Sequence, residues 1–193
     1  AFEPIQKDYS GKIRLVYHTT PHRGLALLLP AIEELSKHHD IHVDIFSSFD
    51  LYGWPERDEP YEGIFKQLKS LPYVTMHGAQ PNEAVREKLK ETHIFAYPSI
   101  WPETFCIAAI EALCSGNFIV HPNLAALPET CGQGTVMYQY DEDPNKHVNH
   151  FYNSLLSLCN LIRSQPDHVK SVALRQQSFY NTAYRWEVVF QRW

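Results

Sequence analysis

The chain has 193 residues, of which 44% are apolar, 20% charged and 13% aromatic, a balance that describes one globular core and excludes a disordered tail. A formal net charge of −5 without any stripe of Lys and Arg excludes a non-specific nucleic-acid or anionic-membrane surface, because either needs clustered cations to displace counterions. No apolar run approaches the roughly 20 residues of a membrane-spanning helix, and no charged-then-apolar leader opens the chain.

After a polar opening, residues 12–18 (KIRLVYH) form a β-type run, followed by a turn through Pro21 and a helix over residues 22–37. Residues 42–47 predict a second strand and residues 61–71 a helix. A third strand is expected at 73–78 and a helix at 82–92. Between them, residues 48–60 (SFDLYGWPERDEP) carry too much Pro and charge for a helix, so they make a mobile lid or a packed surface loop; Tyr52 and Trp54 favour packing. Residues 93–97 are a strand, 104–113 a helix, 117–120 and 134–138 strands, and helices follow from Asn145. Strands alternating with helices of roughly 10–15 residues imply right-handed crossovers and an α/β, Rossmann-like, doubly wound parallel sheet of about six strands, with helices on both faces and a C-terminal helical extension. Trp186, Phe190 and Trp193 repeat at helical spacing, an apolar stripe that covers this sheet or docks on a neighbouring domain.

The stretch YPSIWPETFCIAAIEALCSGNFIV carries the chemistry. Glu103 and Glu111, with seven residues between them, bracket a strand-to-helix junction, where the first free N–H groups of a helix favour a pyrophosphate. A carboxylate beside such a place accepts two hydrogen bonds and suits a vicinal diol better than the phosphate itself. At the end of the first strand, TTPHRG puts Arg23 and Gly24 at the same sheet edge: Gly24 permits close backbone approach and Arg23 offers a planar fork for a diphosphate.

Together TTPHRGLALLLPAIEEL, VTMHGAQPNEAVREKLKETHIFAYPSIWPETFCIAAIEALCSGNFIV and YRWEVVFQRW resemble the C-terminal, donor-binding domain of the large retaining glycosyltransferase family 4, whose architecture is GT-B. The resemblance implies one nucleotide-sugar-binding domain over residues 1–193, the second half of a two-domain enzyme whose N-terminal acceptor domain lies outside this stretch. It implies that Glu111 holds ribose hydroxyls, that Glu103 contacts the transferred sugar and helps orient the donor, and that the amides of Phe105, Cys106 and Ile107, beside Thr104, receive phosphate or sugar oxygens. Gly78, Ala79 and Gln80 would meet the edge of the base, and Arg23 the leaving diphosphate. Partners would be a UDP- or GDP-sugar, the N-terminal or another partner domain, and a saccharide or lipid-linked acceptor, with no cofactor beyond the donor. Transfer would be retaining and metal-independent, serving polysaccharide synthesis, and the domain alone would be nearly inactive. The family commonly has a Gly-Arg pair where this chain has Tyr17-His18. Either His18 protonates to fill the role, or Arg23 acts with the hydroxyls of Thr19 and Thr20, which is the expectation adopted. Cys106 replaces a usual Gly, and its packed setting argues against a nucleophilic thiol.

Rival readings are bland or of another class. Asp141, Glu142 and Asp143 could suit a magnesium or manganese ion, but they precede a helix whose dipole they complement. His38, His39 and His42 lack the carboxylate or thiol spacing that completes a zinc site, and His77, His93 and His121 border strands as structural histidines do. Taken alone, Glu103 would be a helix cap. The whole chain could be a non-catalytic α/β nucleotide-binding or interaction module. Cys106, Cys114, Cys131 and Cys159 form no CxxC pair, so reduced thiols and a cytoplasmic location are expected, with any membrane attachment supplied by another part of the protein.

Overall fold

A computed structural model describes residues 5–132, 134–184 and 186–191. Six strands, β1 (Ile13–Tyr17), β2 (Ile41–Ile45), β3 (Val74–Met76), β4 (Ile94–Ala96), β5 (Phe118–Pro122) and β6 (Val136–Tyr138), make one sheet in the order β3-β2-β1-β4-β5-β6. Every pairing is parallel. The helices are α1 (Leu25–Leu35), α2 (Glu62–Ser70), α3 (Asn82–Glu91), α4 (Ile107–Cys114), α5 (Leu127–Cys131), α6 (Pro144–Ser164), α7 (Pro166–Ala183) and α8 (Trp186–Phe190). β4 and β5 are buried at every residue, as strands covered on both faces must be. The expected fold class is the one observed.

Strand order reverses between β1 and β4. Right-handed crossovers then put α1 and α2 on one face, and α3 and α4 together on the other, so residues far apart in sequence meet above the switch. α6 packs on α1 and α7 on α4. The apolar stripe of α6, Phe151, Leu155, Leu158, Cys159 and Ile162, is buried at the i, i+4, i+7, i+8 and i+11 spacing of one helical face. Asp143 starts α6 by accepting the Asn145 N–H at 2.9 Å, which occupies one oxygen of the acidic run in a helix cap.

Several elements differ from the sequence expectation, some for identifiable reasons. The helix expected over 22–37 is a 3₁₀ turn, Pro21–Arg23, followed by α1, because Gly24 interrupts it with φ 123°. The helix expected from Thr104 begins at Ile107, after Cys106 in the left-handed region with φ 68°. Residues 48–60 fold into two 3₁₀ turns, Phe49–Tyr52 and Pro55–Tyr61, and Asp58 pins them by accepting from Ser48 Oγ and the Phe49 N–H. Their anchor is Phe49, stacked on His22 at 5.1 Å. Tyr52 and Trp54 meet only each other at a tilted ring contact of 5.7 Å among the aromatic pairs described and remain about half exposed, contrary to the packing role expected of them. α5 was not anticipated; its five residues are too few for a periodic signal. Of the C-terminal aromatic stripe, Phe190 is largely exposed, while Trp193 and the side chain of Trp186 fall outside the described residues.

Candidate functional site

At the carboxyl rim, two loops are locked together before any ligand chemistry is considered. A Cβ placed on Gly24 would lie 2.1 Å from the carbonyl oxygen of Pro98. Only glycine lets the corner after β1 sit this close to the loop after β4. The Ile100 N–H donates to the Arg23 carbonyl at 3.3 Å, and the Tyr17 hydroxyl to the Thr20 carbonyl at 3.1 Å. His22, wedged between Phe49 and Trp101 at 5.1 and 4.6 Å, closes the side of the corner.

Within that frame Arg23 and Glu103 meet. Arg23 Nη1 and the Tyr97 hydroxyl both donate to Glu103 Oε1, and the Glu103 side chain is only 6% exposed against 23% for Arg23. Burial alone would lower the Arg23 pKa; Glu103 and Tyr97 outweigh it and hold the pKa above the ordinary arginine value. Tyr97 is raised far beyond the usual phenol range, first by burial and then by Cys106 and Glu103, so it acts as a donor throughout the accessible pH range. Arg23 Nε is buried with no hydrogen-bond partner, as are Thr20 Oγ1, Ser47 Oγ and His18 Nε2, although buried polar atoms are as a rule satisfied. Thr19 beside them is half-buried. Burial pulls the His18 pKa down to about 3, so the imidazole is neutral near pH 7.

α4 points its N-terminus at the same rim. Cys106 provides no side-chain cap, so the first amides of the helix stay unclaimed by a capping oxygen, with positive partial charge. Thr104, Phe105 and Ile107 are exposed there. The Cys106 thiol, pushed up to about 12 by burial and then by Glu103, is protonated and inert as a nucleophile. Glu103 is not the helix cap of the bland reading: its side chain turns inward to Arg23 and Tyr97.

Glu111 belongs to a second cluster. One turn into α4, its Oε1 accepts from Asn82 Nδ2 at 3.3 Å and from Arg86 Nε and Nη2 at 3.3 and 3.2 Å, all from α3. Gly78, with φ 67°, Ala79 and Gln80 form the loop leading into α3, and Gln80 Nε2 donates back to the His77 carbonyl at 2.9 Å. The predicted residues therefore gather as two groups on one rim: Thr19, Thr20, Arg23, Gly24 and Glu103 around the β1/β4 switch, and Gly78, Ala79, Gln80 and Glu111 along α3 and α4. Two carboxylates cannot donate to each other, and Glu103 and Glu111 have separate sets of donors. A hollow of about 610 Å³ lies elsewhere, lined by residues 6–10 and the ends of α6 and α7. It shares no residue with the rim, where Ile100, Trp101, Phe105 and Ile107 are exposed beside the Arg23–Glu103 pair.

The sequence matches the family of glycosyl transferases group 1 over residues 6–155. The chain belongs to that family. It is 29% identical over 119 residues to a phosphatidylinositol N-acetylglucosaminyltransferase polypeptide of Arabidopsis thaliana, covering 62% of this chain and 26% of that protein. To the MMP alpha-(1->4)-mannosyltransferase of Mycolicibacterium hassiacum it is 27% identical over 112 residues, 58% and 26% of the two chains. The chain thus spans about a quarter of the curated relatives it matches. Among solved structures it is similar to a glycosyltransferase from Rickettsia africae (TM-score 0.74, 14% identity, 95% of this chain and 46% of that one). It is also similar to Anabaena HepE in complex with UDP-glucose (TM-score 0.67, 15% identity, 94% and 47%). A third similar structure is the catalytic domain of Arabidopsis thaliana starch synthase IV bound to ADP and acarbose (TM-score 0.67, 17% identity, 97% and 40%). These structural likenesses speak for the GT-B-like fold.

Within this glycosyl transferases group 1 domain, sequence reading missed Tyr97, Asn82, Arg86 and the Asp44–His77 pair at 2.7 Å. Asp44 had a signal, a charge inside the apolar run IHVDI; Asn82 and Arg86 had only their i, i+4 spacing on α3, which any exposed helix face shows. Among the described residues no helix is long and apolar enough to cross a membrane.

Proposed function

We propose that this domain binds a nucleoside-diphosphate sugar for retaining, metal-independent transfer, as the donor half of a family 4 glycosyltransferase whose acceptor half is another domain. One observation carries the reading: Arg23 and Glu103 are paired and largely withdrawn from water at the strand-order reversal, beside the uncapped N-terminus of α4. A fixed cation and free helix amides suit a diphosphate, and a carboxylate at the same place suits a sugar hydroxyl. The donor is a UDP- or GDP-sugar in this reading; HepE is described with UDP-glucose and starch synthase IV with ADP.

In the reaction proposed, the bond between the anomeric carbon and the diphosphate oxygen breaks while the acceptor oxygen attacks from the same side. The acceptor's proton passes to the departing phosphate. Negative charge grows on the diphosphate as it leaves, and in this reading Arg23 with the amides of Phe105, Cys106 and Ile107 lowers the barrier, as fixed donors facing a growing charge do. Glu103 orients the sugar and Glu111 the ribose. The acceptor is a saccharide or lipid-linked glycan, and four buried, unbridged cysteines suit a reducing compartment such as the cytoplasm.

A thermal-shift panel of UDP-, GDP- and ADP-sugars tests the reading, since a ligand that binds only the native state at about 100 times its Kd stabilises by roughly 2.7 kcal/mol. One base class is expected to raise the melting temperature. No shift with any of the three would favour an interaction module of the same fold.

A further inference from the structure

Resting on the reading of Glu111 as the ribose-binding group, we infer that Arg86 and Asn82 are positioning residues that determine how Glu111 contacts the nucleotide. Three N–H donors, Asn82 Nδ2, Arg86 Nε and Arg86 Nη2, converge on Oε1 at 3.2–3.3 Å. A carboxylate oxygen offers about two lone-pair sites, so Oε1 is saturated, and among the described residues no hydrogen bond reaches Oε2. The side chain is 17% exposed. It stands one turn inside α4, and helical side chains lean toward the N-terminus, which directs the carboxylate to the rim where the uncapped amides lie. Asn82 and Arg86 are themselves one turn apart on α3, hence on one face.

The consequence departs from the two-oxygen diol grip expected from the residue type. Glu111 accepts from a single ribose hydroxyl through Oε2, with its rotamer held by Arg86. Both glutamates of the rim follow one pattern, since Glu103 likewise has Oε1 engaged by two protein donors.

The measurement is calorimetric titration of the protein with UDP, GDP and ADP, then with the 2′-deoxy and 3′-deoxy forms of whichever binds. For the unaltered protein, loss of one hydroxyl is expected to weaken binding about tenfold and loss of the other less than threefold. Arg86→Gln is expected to weaken the ribonucleotide about tenfold and to erase its preference over the sensitive deoxy form, and Arg86→Lys to restore part of that preference. Asn82→Ala, which removes one donor of three, should show the same change in smaller measure and serves if Arg86→Gln does not fold. Undiminished ribose preference in these variants, or equal losses for ribo and deoxy forms, would overturn the positioning role. Equal sensitivity of the unaltered protein to both hydroxyls would overturn the single-oxygen contact. If none of the three nucleotides binds the unaltered protein, the donor reading itself fails, and this inference with it.

Discussion

Gly24 joins backbone geometry to site geometry. Its φ of 123° lies where side chains other than glycine's are strained, and the added Cβ would overlap the Pro98 carbonyl. Gly24→Ala must therefore push the β4 loop away from the β1 corner, at a cost of about 3 kcal/mol from overpacking and strain together. Urea denaturation reads that loss directly, and a change within about 0.5 kcal/mol would mean the two loops are less tightly coupled than described. Displacing Pro98 also displaces Ile100 and the residues leading to Glu103, so the same substitution is expected to weaken nucleotide binding.

At the level of the helix, α4 starts where Cys106 takes the left-handed conformation. Most residues in an element favour alanine over glycine by roughly 0.5–1 kcal/mol. Here the order should reverse. Cys106→Gly and Cys106→Ala both delete the buried sulfur, but only glycine relieves the positive φ, so the Gly variant is expected to be more stable than the Ala variant by about 1 kcal/mol. Matching chemical denaturation curves settle it; an alanine variant as stable as the glycine one would show the backbone there to be unstrained.

The whole molecule should be acid-sensitive through its buried histidines. Burial depresses His18 to about 3, and burial followed by the Lys7 charge depresses His93 to about 4, against 6.5 in the unfolded chain. Above pH 6.5 neither state is protonated and no penalty arises. As pH falls through 6.5 the unfolded chain takes up protons that the native state refuses, so stability declines until the folded pKa is reached. At pH 5 the loss is about 2 kcal/mol for each histidine, a large part of a typical 5–15 kcal/mol. Urea midpoints at pH 7 and pH 5 should differ accordingly, and His18→Gln should remove about 2 kcal/mol of the difference; a pH-independent midpoint would contradict the burial. Lys7 belongs to the same scale. Its ammonium donates to the Leu89 and Thr92 carbonyls, tying the opening segment to the end of α3, although burial lowers its pKa well below the usual lysine value.

Strand count, alternation and the parallel sheet were legible because each depends on local periodicity and on a handedness rule that holds for nearly all such connections. The place of Arg23, Gly24, Glu103 and Glu111 near strand ends was legible because crossover topology carries those ends to one rim whatever the side chains do. What the sequence could not state was pairing. Nothing in FAYPSIWPE says that the Tyr97 hydroxyl and the Arg23 guanidinium would share one oxygen of Glu103, nor that Arg86 would claim Glu111, because such contacts follow from how α3 comes to rest beside α4 and how two loops close within a Cβ of each other. The amino-acid order by itself determined the α/β scaffold and the residues at its rim, since hydrophobic period and chain direction are local. Only tertiary packing decided which oxygens are engaged and which are left for a ligand, since hydrogen-bond partners tens of residues apart in sequence are chosen by distance.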